Sequence, residues 1–210
     1  MSENPIIWKP SAARIEKSSM YEFMQSCNFD EYDDLYRWSI SDIDGFWLAL
    51  CDFCGVEFSK SPDSVLEQAG DMTTAKWFSG AELNFAAHLL RHEGDRPAIV
   101  FRGENGARRE VSFDQLRQQV ADTAAGLRQA GVHKGDRVAG FLPNCPEAII
   151  AMLATSSIGA VWSSCSPDFG INGVVDRFGQ IEPKVLICAD GYFYNGKTID
   201  CIESVAAWQW

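Results

Sequence analysis

The chain has 210 residues, of which 46% are hydrophobic, and a formal net charge of −11 at pH 7. The apolar content is sufficient for one core, or for one core and a smaller packed segment. The acidic balance argues against a nucleic-acid partner, because binding phosphates requires a basic face. No uninterrupted apolar run reaches the ~18 residues of a transmembrane helix, and no apolar run of a secretion signal opens the chain. We therefore expect no membrane partner and a cytoplasmic protein.

Seven cysteines lie scattered in mostly apolar stretches, which is typical of reduced cytosolic proteins. Cys51 and Cys54 form a C-x-x-C pair, but they share one face of a helical pattern with Phe46, Trp47 and Leu50. This periodicity favours a place in the core over a redox role. With three histidines and no second cysteine pair, the sequence has no zinc ligand set, and we expect no metal site.

The first 80 residues are rich in aromatic side chains, and their pattern predicts short helices without a strong strand. Such a segment is expected to wrap a larger body, with its aromatic side chains as anchors. Within it, Ser41 is predicted to cap a helix whose first turn contains Asp42 and Asp44.

From Ala98 the pattern becomes more regular. Two short alternating runs, residues 98–101 and 109–111, flank Asn105-Gly106 and predict a hairpin. Residues 112–115 (SFDQ) then predict a capping box, which opens an amphipathic helix that Gly131 ends.

The following segment predicts strand, helix, strand, helix, strand. The strands are residues 137–142, 160–165 and 184–188; one helix runs from Pro146 to Ser157 and the other ends near Ile181. The helix from Pro146 is apolar on nearly every side and should be buried. Two successive βαβ units imply an α/β fold with a parallel sheet and right-handed crossovers.

Ligands of open α/β sheets bind beyond the carboxyl ends of the strands, here residues 143–146, 166–170 and 190–197. None of these loops contains G-x-G-x-x-G or G-x-x-x-x-G-K-[ST], so no nucleotide cradle is encoded in them. A G-x-S-x-G motif is absent as well. We predict no catalytic residue in these 210 residues.

Three segments together carry a family pattern. They are residues 32–47 (YDDLYRWSISDIDGFW), residues 77–90 (WFSGAELNFAAHLL) and residues 135–190, which include GDRVAGFLPNCPE and IGAVWSSCSPDFG. In this order they resemble the N-terminal part of the adenylate-forming acyl-CoA synthetases. The segments IWKP, WSSCSPDFG and DGYFYNGK are most similar to the acetoacetyl-CoA synthetases.

The resemblance implies an acetyl-CoA-synthetase-type N-terminal segment in residues 1–96 and the first part of an AMP-binding (adenylation) domain in residues 97–210. In that family, acetoacetate, ATP and coenzyme A give acetoacetyl-CoA, AMP and diphosphate, with Mg²⁺ bound. The family's phosphate loop, its magnesium-binding acids and its mobile lysine follow position 210. We therefore expect an N-terminal fragment that is inactive alone, binds none of these cofactors tightly and has the remainder of the enzyme as its partner.

The resemblance also implies one binding site. Related acetyl-CoA synthetases place a basic R-x-G-R loop against the phosphates of coenzyme A, and the matching positions here include Tyr194, Gly196 and Lys197. Lys197 keeps the cation and Gly196 keeps the tight backbone, whereas Tyr194 replaces an arginine. The facing loop, rich in glycine in those relatives, has Pro167 and Asp168, and this carboxylate would repel phosphate. The alternative is that residues 194–197 form only a surface turn.

Two other interpretations of the whole chain stay open. One is a relative that uses acetate, propionate or another short acid, because the acyl pocket lies downstream in the family. The other is a non-catalytic interaction module with the same half-domain.

Overall fold

A computed structural model describes residues 7–68 and 70–206 of the chain. The chain divides between Leu83 and Asn84 into two units. In the described residues, no helix combines the length and the apolar character needed to cross a membrane.

The first unit is built mainly from short helices: α1 (Ala12–Glu16), α2 (Ser19–Ser26), α3 (Tyr32–Ser41) and α4 (Ile43–Phe53). Its core is a cluster around Phe23, Met24 and Leu35, with further aromatic side chains packed at its edge. The Phe23 ring lies 5.9 Å from the Phe46 ring in an edge-to-face arrangement, which aromatic pairs prefer. These aromatic contacts lie within the first unit and form part of its own core.

A hairpin follows these helices in the segment whose pattern predicts short helices without a strong strand. Strands β1 (Ser64–Glu67) and β2 (Lys76–Ser79) pair antiparallel, with Leu66 opposite Trp77. Each strand has only four residues, which is too short for a period-2 pattern to stand out in the sequence.

Two further expectations for the first unit need correction. Helix α3 continues through Ser41, so the cap of α4 is Asp42, whose Oδ1 accepts a hydrogen bond from the Gly45 amide at 3.0 Å. Cys51 is half-buried on α4, but Cys54 is exposed because it follows the last helical residue and has left the packed face.

The second unit opens with α5 (Phe85–Leu89), β3 (Pro97–Arg102), β4 (Arg108–Ser112) and α6 (Phe113–Gln129). The predicted hairpin and capping box are both confirmed. The Ser112 hydroxyl accepts from the Gln115 amide at 3.2 Å, and the Gln115 side chain accepts from the Ser112 amide at 3.0 Å. Such reciprocal bonds satisfy two amides that the first helical turn leaves unpaired.

The predicted parallel sheet is present. It contains β5 (Arg137–Phe141), β6 (Val161–Cys165) and β7 (Val185–Cys188), in the order β6-β5-β7, with α7 (Pro146–Ser157) and α8 (Ile171–Ile181) as crossover helices. The α/β fold class is therefore confirmed.

Successive residues of the central strand face two different cores, as a strand with period 2 requires. Val138 packs with Leu116, Leu153 and other side chains of α6 and α7. Its neighbour Ala139 packs on the other face with Phe178 of α8. Helix α7 is buried as predicted, and each fully buried Leu or Ile stabilises the fold by about 1.5–3 kcal/mol.

The amino-terminal ends of the strands are held by a charged cluster. The Lys184 ammonium lies 3.0 Å from Asp136 Oδ2 and donates to the Gly131 carbonyl. The backbone amide of His133 and then Lys184 lower the pKa of Asp136. Both contacts keep the carboxylate charged at neutral pH.

The segment after β7 is a third hairpin, so the expectation of a loop over residues 190–197 is wrong. Strands β8 (Gly191–Tyr194) and β9 (Lys197–Asp200) pair antiparallel, and α9 (Ile202–Ala206) follows them. Asn195 and Gly196 have φ values of 50° and 72°. Two positive φ values in a two-residue turn match the twist of the flanking strands, so Asn-Gly closes a hairpin here.

Candidate functional site

A cleft of about 470 Å³ lies where the carboxyl ends of β5 and β6 meet two hairpins. Residues 143–145 and 166–168 line it at these strand ends, and residues 101–105, 107 and 191–194 line it from the two hairpins. This is the edge of a parallel sheet at which α/β proteins bind ligands. Two of the three loops expected at this edge therefore come together in one cleft, and the third contributes as a hairpin strand.

Asp168 is the fixed acidic group of the cleft. Its Oδ1 accepts a hydrogen bond from the Tyr192 hydroxyl at 2.9 Å, and its Oδ2 accepts one from the Ser166 hydroxyl at 3.0 Å. Because both oxygens accept from hydroxyl donors, the carboxylate has a defined orientation on the cleft wall.

Burial, followed by the hydrogen bond to Asp168, raises the pKa of Tyr192 to about 12. The phenol is therefore neutral and remains a hydrogen-bond donor throughout the physiological pH range. Its ring packs against the buried cluster that contains Phe141 and Phe178.

The three residues expected to bind coenzyme A lie on the hairpin β8–β9, and only Tyr194 lines the cleft. Gly196 lies in the turn, and Lys197 begins β9 directly opposite Tyr194. Directly opposed residues project from the same face of a strand pair, as do residues two apart on one strand. Lys197 therefore shares a face with Tyr194 and with Tyr192, whose hydroxyl reaches the cleft wall.

Arg102 is a cation that lines the cleft, and sequence reasoning missed it. It ends β3 and lines the cleft. Its neighbours Arg108 and Arg109 are paired with Glu110 and Glu147, whereas no ion pair involves Arg102 among the residues that the structure describes. The signal that could have identified it is its position beside the Asn-Gly hairpin turn.

The start of α7 lies beside the cleft, and an ion pair connects this helix to β4. Arg109 Nη2 lies 2.6 Å from Glu147 Oε1 in the first helical turn. Burial raises the pKa of Glu147, but the hydrogen bond from Arg109, a backbone hydrogen bond and the positive charge of Arg109 together outweigh burial, so the net pKa is lowered. Burial also raises the pKa of the nearby Cys145 thiol. A thiol with a raised pKa is a poor nucleophile at neutral pH.

Comparisons with known proteins agree with the fold. The AMP-binding enzyme family profile matches residues 85–208, and the profile of the acetyl-coenzyme A synthetase N-terminus matches residues 32–89. The chain therefore belongs to the AMP-binding enzyme family.

Several of the individual relatives are acetoacetyl-CoA synthetases. An acetoacetyl-coenzyme A synthetase of Rhizobium meliloti (strain 1021) is 44% identical over 98% of this chain and 32% of its own length. One from Macaca fascicularis is also 44% identical, over 97% of this chain and 31% of its own. A solved acetoacetyl-CoA synthetase from Streptomyces lividans has a TM-score of 0.88 at 43% identity, covering 95% of this chain and 32% of its own. The chain thus spans about a third of the length of the relatives that it matches.

Proposed function

We propose that the chain is the N-terminal part of an AMP-forming acetoacetate–CoA ligase. The observation that carries the proposal is the 44% identity to an acetoacetyl-coenzyme A synthetase over 98% of the chain. The overall reaction would convert acetoacetate, ATP and coenzyme A into acetoacetyl-CoA, AMP and diphosphate. In it, the acetoacetate carboxylate displaces diphosphate from the α-phosphate of ATP, and the thiolate of coenzyme A then displaces AMP from the acyl-adenylate.

The contribution of this chain would be to bind and orient coenzyme A in the cleft. Lys197 presents an ammonium group on the same hairpin face as Tyr194, and Arg102 adds a cation on the opposite hairpin. These two positive groups suit phosphate oxygens, which charge-assisted hydrogen bonds hold well. Gly196 allows the turn that brings Lys197 opposite Tyr194.

ATP and Mg²⁺ would be held by the rest of the enzyme. Within residues 7–68 and 70–206, no group of three or more His, Cys, Asp or Glu side chains could hold a metal ion. The 210 residues also contain no glycine-rich phosphate loop. These residues do not fit the metal or the triphosphate, and we assign none of them to the adenylation step.

A ligase for acetate or propionate is the second candidate, favoured by the match of residues 32–89 to the acetyl-coenzyme A synthetase N-terminus. The test is to compare kcat/KM for acetoacetate, acetate and propionate in a full-length enzyme that carries this chain. We expect acetoacetate to be preferred. A preference for acetate or propionate would exclude the first candidate, and a lack of acid-dependent diphosphate release would support an interaction module instead.

The cytoplasm is the compartment that the cysteines favour. All seven lie in the described residues, and none is in a disulfide there. Disulfide-free chains with several cysteines are typical of reducing compartments. Fractionation of cells that express the tagged protein would check this.

A further inference from the structure

The hairpin β8–β9 is well formed in itself. Its two-residue turn is closed by Asn195 and Gly196, and the Cys201 amide donates to the Asp190 carbonyl at its base, at 2.8 Å. The hairpin strands pack closely, since a Cβ atom on Gly191 would lie 2.6 Å from the Ile199 carbonyl oxygen. The hairpin is therefore a defined unit of structure, and its position depends on its contacts with the rest of the chain.

The loop on the other side of the cleft is also ordered by its own contacts. It follows the buried Cys165 at the end of β6 and leads into α8. Within it, the Phe169 amide donates to the Ser166 carbonyl at 3.2 Å, and the Asp168 amide donates to the Ser166 hydroxyl at 3.4 Å. These bonds form a turn that presents the Asp168 side chain to the cleft.

One hydrogen bond links these two bodies. It runs from the Tyr192 hydroxyl to Asp168, and among the residues that the structure describes it is the only hydrogen bond between the hairpin and residues 166–170. The Tyr192 ring is packed against the buried cluster around α8, so the hydroxyl reaches the loop from a fixed base. Both partners line the cleft, which means that this bond sets the separation of its two walls.

We propose that Tyr192 and Asp168 are positioning residues: their hydrogen bond fastens the hairpin to the loop after β6 and thereby holds Tyr194 and Lys197 in place for coenzyme A. The choice of coenzyme A as the ligand rests on the proposed function, whereas the link between the hairpin and the loop does not. The raised pKa of Tyr192 supports it, because the phenol stays a donor over the whole working range of pH. Neither residue transfers a proton or forms a bond to substrate.

Two substitutions separate the geometry from the charge. Tyr192→Phe keeps the packed ring and removes only the hydroxyl, so the fold is retained. Asp168→Asn removes the negative charge, but its amide oxygen still accepts from Tyr192 and its nitrogen can donate to the Ser166 hydroxyl, which rotates. Matched controls are Tyr36→Phe in the first unit and Asp176→Asn at an exposed position of α8.

The kinetic test uses a full-length enzyme that carries this chain. Tyr192→Phe should raise KM for coenzyme A about fivefold and leave ATP–diphosphate exchange, which reports adenylation without coenzyme A, unchanged. Asp168→Asn should stay within about twofold of wild type. If Tyr192→Phe leaves this KM unchanged, or if Asp168→Asn raises it as much as Tyr192→Phe does, the proposal is wrong.

Hydrogen–deuterium exchange of the same proteins tests the fastening without any substrate. Tyr192→Phe should increase deuterium uptake in residues 166–170 and 191–200, whereas the two controls should not. Unchanged uptake would overturn the proposal. If uptake rises but KM for coenzyme A does not, the positioning role is wrong; the proposed coenzyme A site then survives only if Lys197→Ala raises that KM.

Discussion

Tyr194 and Lys197 lie directly opposite each other across the two-residue turn of β8–β9. This pairing places a phenol ring at the cleft wall and an ammonium group beside it, on one face of the hairpin. Lys197 is the only Lys or Arg in residues 191–200, so the hairpin offers a single cation.

We expect Lys197→Ala, in a full-length enzyme that carries this chain, to raise KM for coenzyme A with little change in kcat. A phosphate contact made equally in the ground and transition states contributes uniform binding, and its loss appears in KM. The expected cost is about 1–2 kcal/mol, because one exposed charge-assisted hydrogen bond is lost. ATP–diphosphate exchange should not change.

Lys197→Arg should retain most of the affinity, since it keeps the charge. Lys134→Ala is the matched control: it removes the same charge from an exposed position beside Gly159, at the amino-terminal edge of the sheet. A loss of exchange activity in Lys197→Ala, without a change in KM for coenzyme A, would show that Lys197 is structural.

The 210-residue chain alone should have no ligase activity. Positioning and charge stabilisation supply most of the rate in phosphoryl and acyl transfer, and the chain has neither a glycine-rich phosphate loop nor an identified magnesium site. The measurement is acetoacetate-dependent diphosphate release by the purified chain against an enzyme-free control. Release above that control would show that these residues contain a catalytic group that we have not identified.

Tyr192 should make the stability of the chain depend on alkaline pH. Its pKa is raised from the ordinary value near 10 to about 12 in the folded chain. Between these values the folded state binds more protons than the unfolded state, so stability falls as pH rises. The difference in unfolding free energy between wild type and Tyr192→Phe should be constant below about pH 10 and shrink above it.

Urea titrations at several pH values between 8 and 11.5 would measure this difference, and the absorbance of tyrosinate should show a step near pH 12 that Tyr192→Phe removes. Tyr36→Phe serves as the control. A difference that does not change with pH would mean that the Tyr192 hydroxyl is not fastened to Asp168.

The sequence predicts most of the second unit because its signals are local. Three patterns each predict a helix or a hairpin from no more than about a dozen neighbouring residues. They are the Ser112 capping box, the Asn105-Gly106 turn and the apolar run after Pro146. Asn195-Gly196 is a turn signal too, but each flanking strand has only four residues. Strands this short leave no clear alternating pattern, so the sequence predicts a loop there.

The contacts that shape the cleft could not be predicted in the same way. Tyr192 and Asp168 are 24 residues apart, and Arg109 and Glu147 are 38 residues apart. No periodicity or propensity relates positions at such separations; the tertiary packing of the hairpins brings them together. The family resemblance identifies Lys197 as a candidate for binding coenzyme A, whereas Arg102 and Tyr192 are identified as cleft residues only from the structure.

Gly191→Ala should destabilise the hairpin and weaken coenzyme A binding together. The added methyl group would lie 2.6 Å from the Ile199 carbonyl oxygen, a backbone atom that cannot move without opening the β8–β9 ladder. Overpacking of this kind costs about 1–3 kcal/mol.

Gly179→Ala is the matched control, because nothing lies within 4 Å of its Cβ position in α8. Alanine also stabilises a helix by about 0.5–1 kcal/mol relative to glycine. Urea unfolding of both variants, with deuterium uptake in residues 191–200, should show a loss for Gly191→Ala and a small gain for Gly179→Ala. Equal stability of the two variants would mean that the hairpin adapts to the methyl group, and that its close packing does not fix its position.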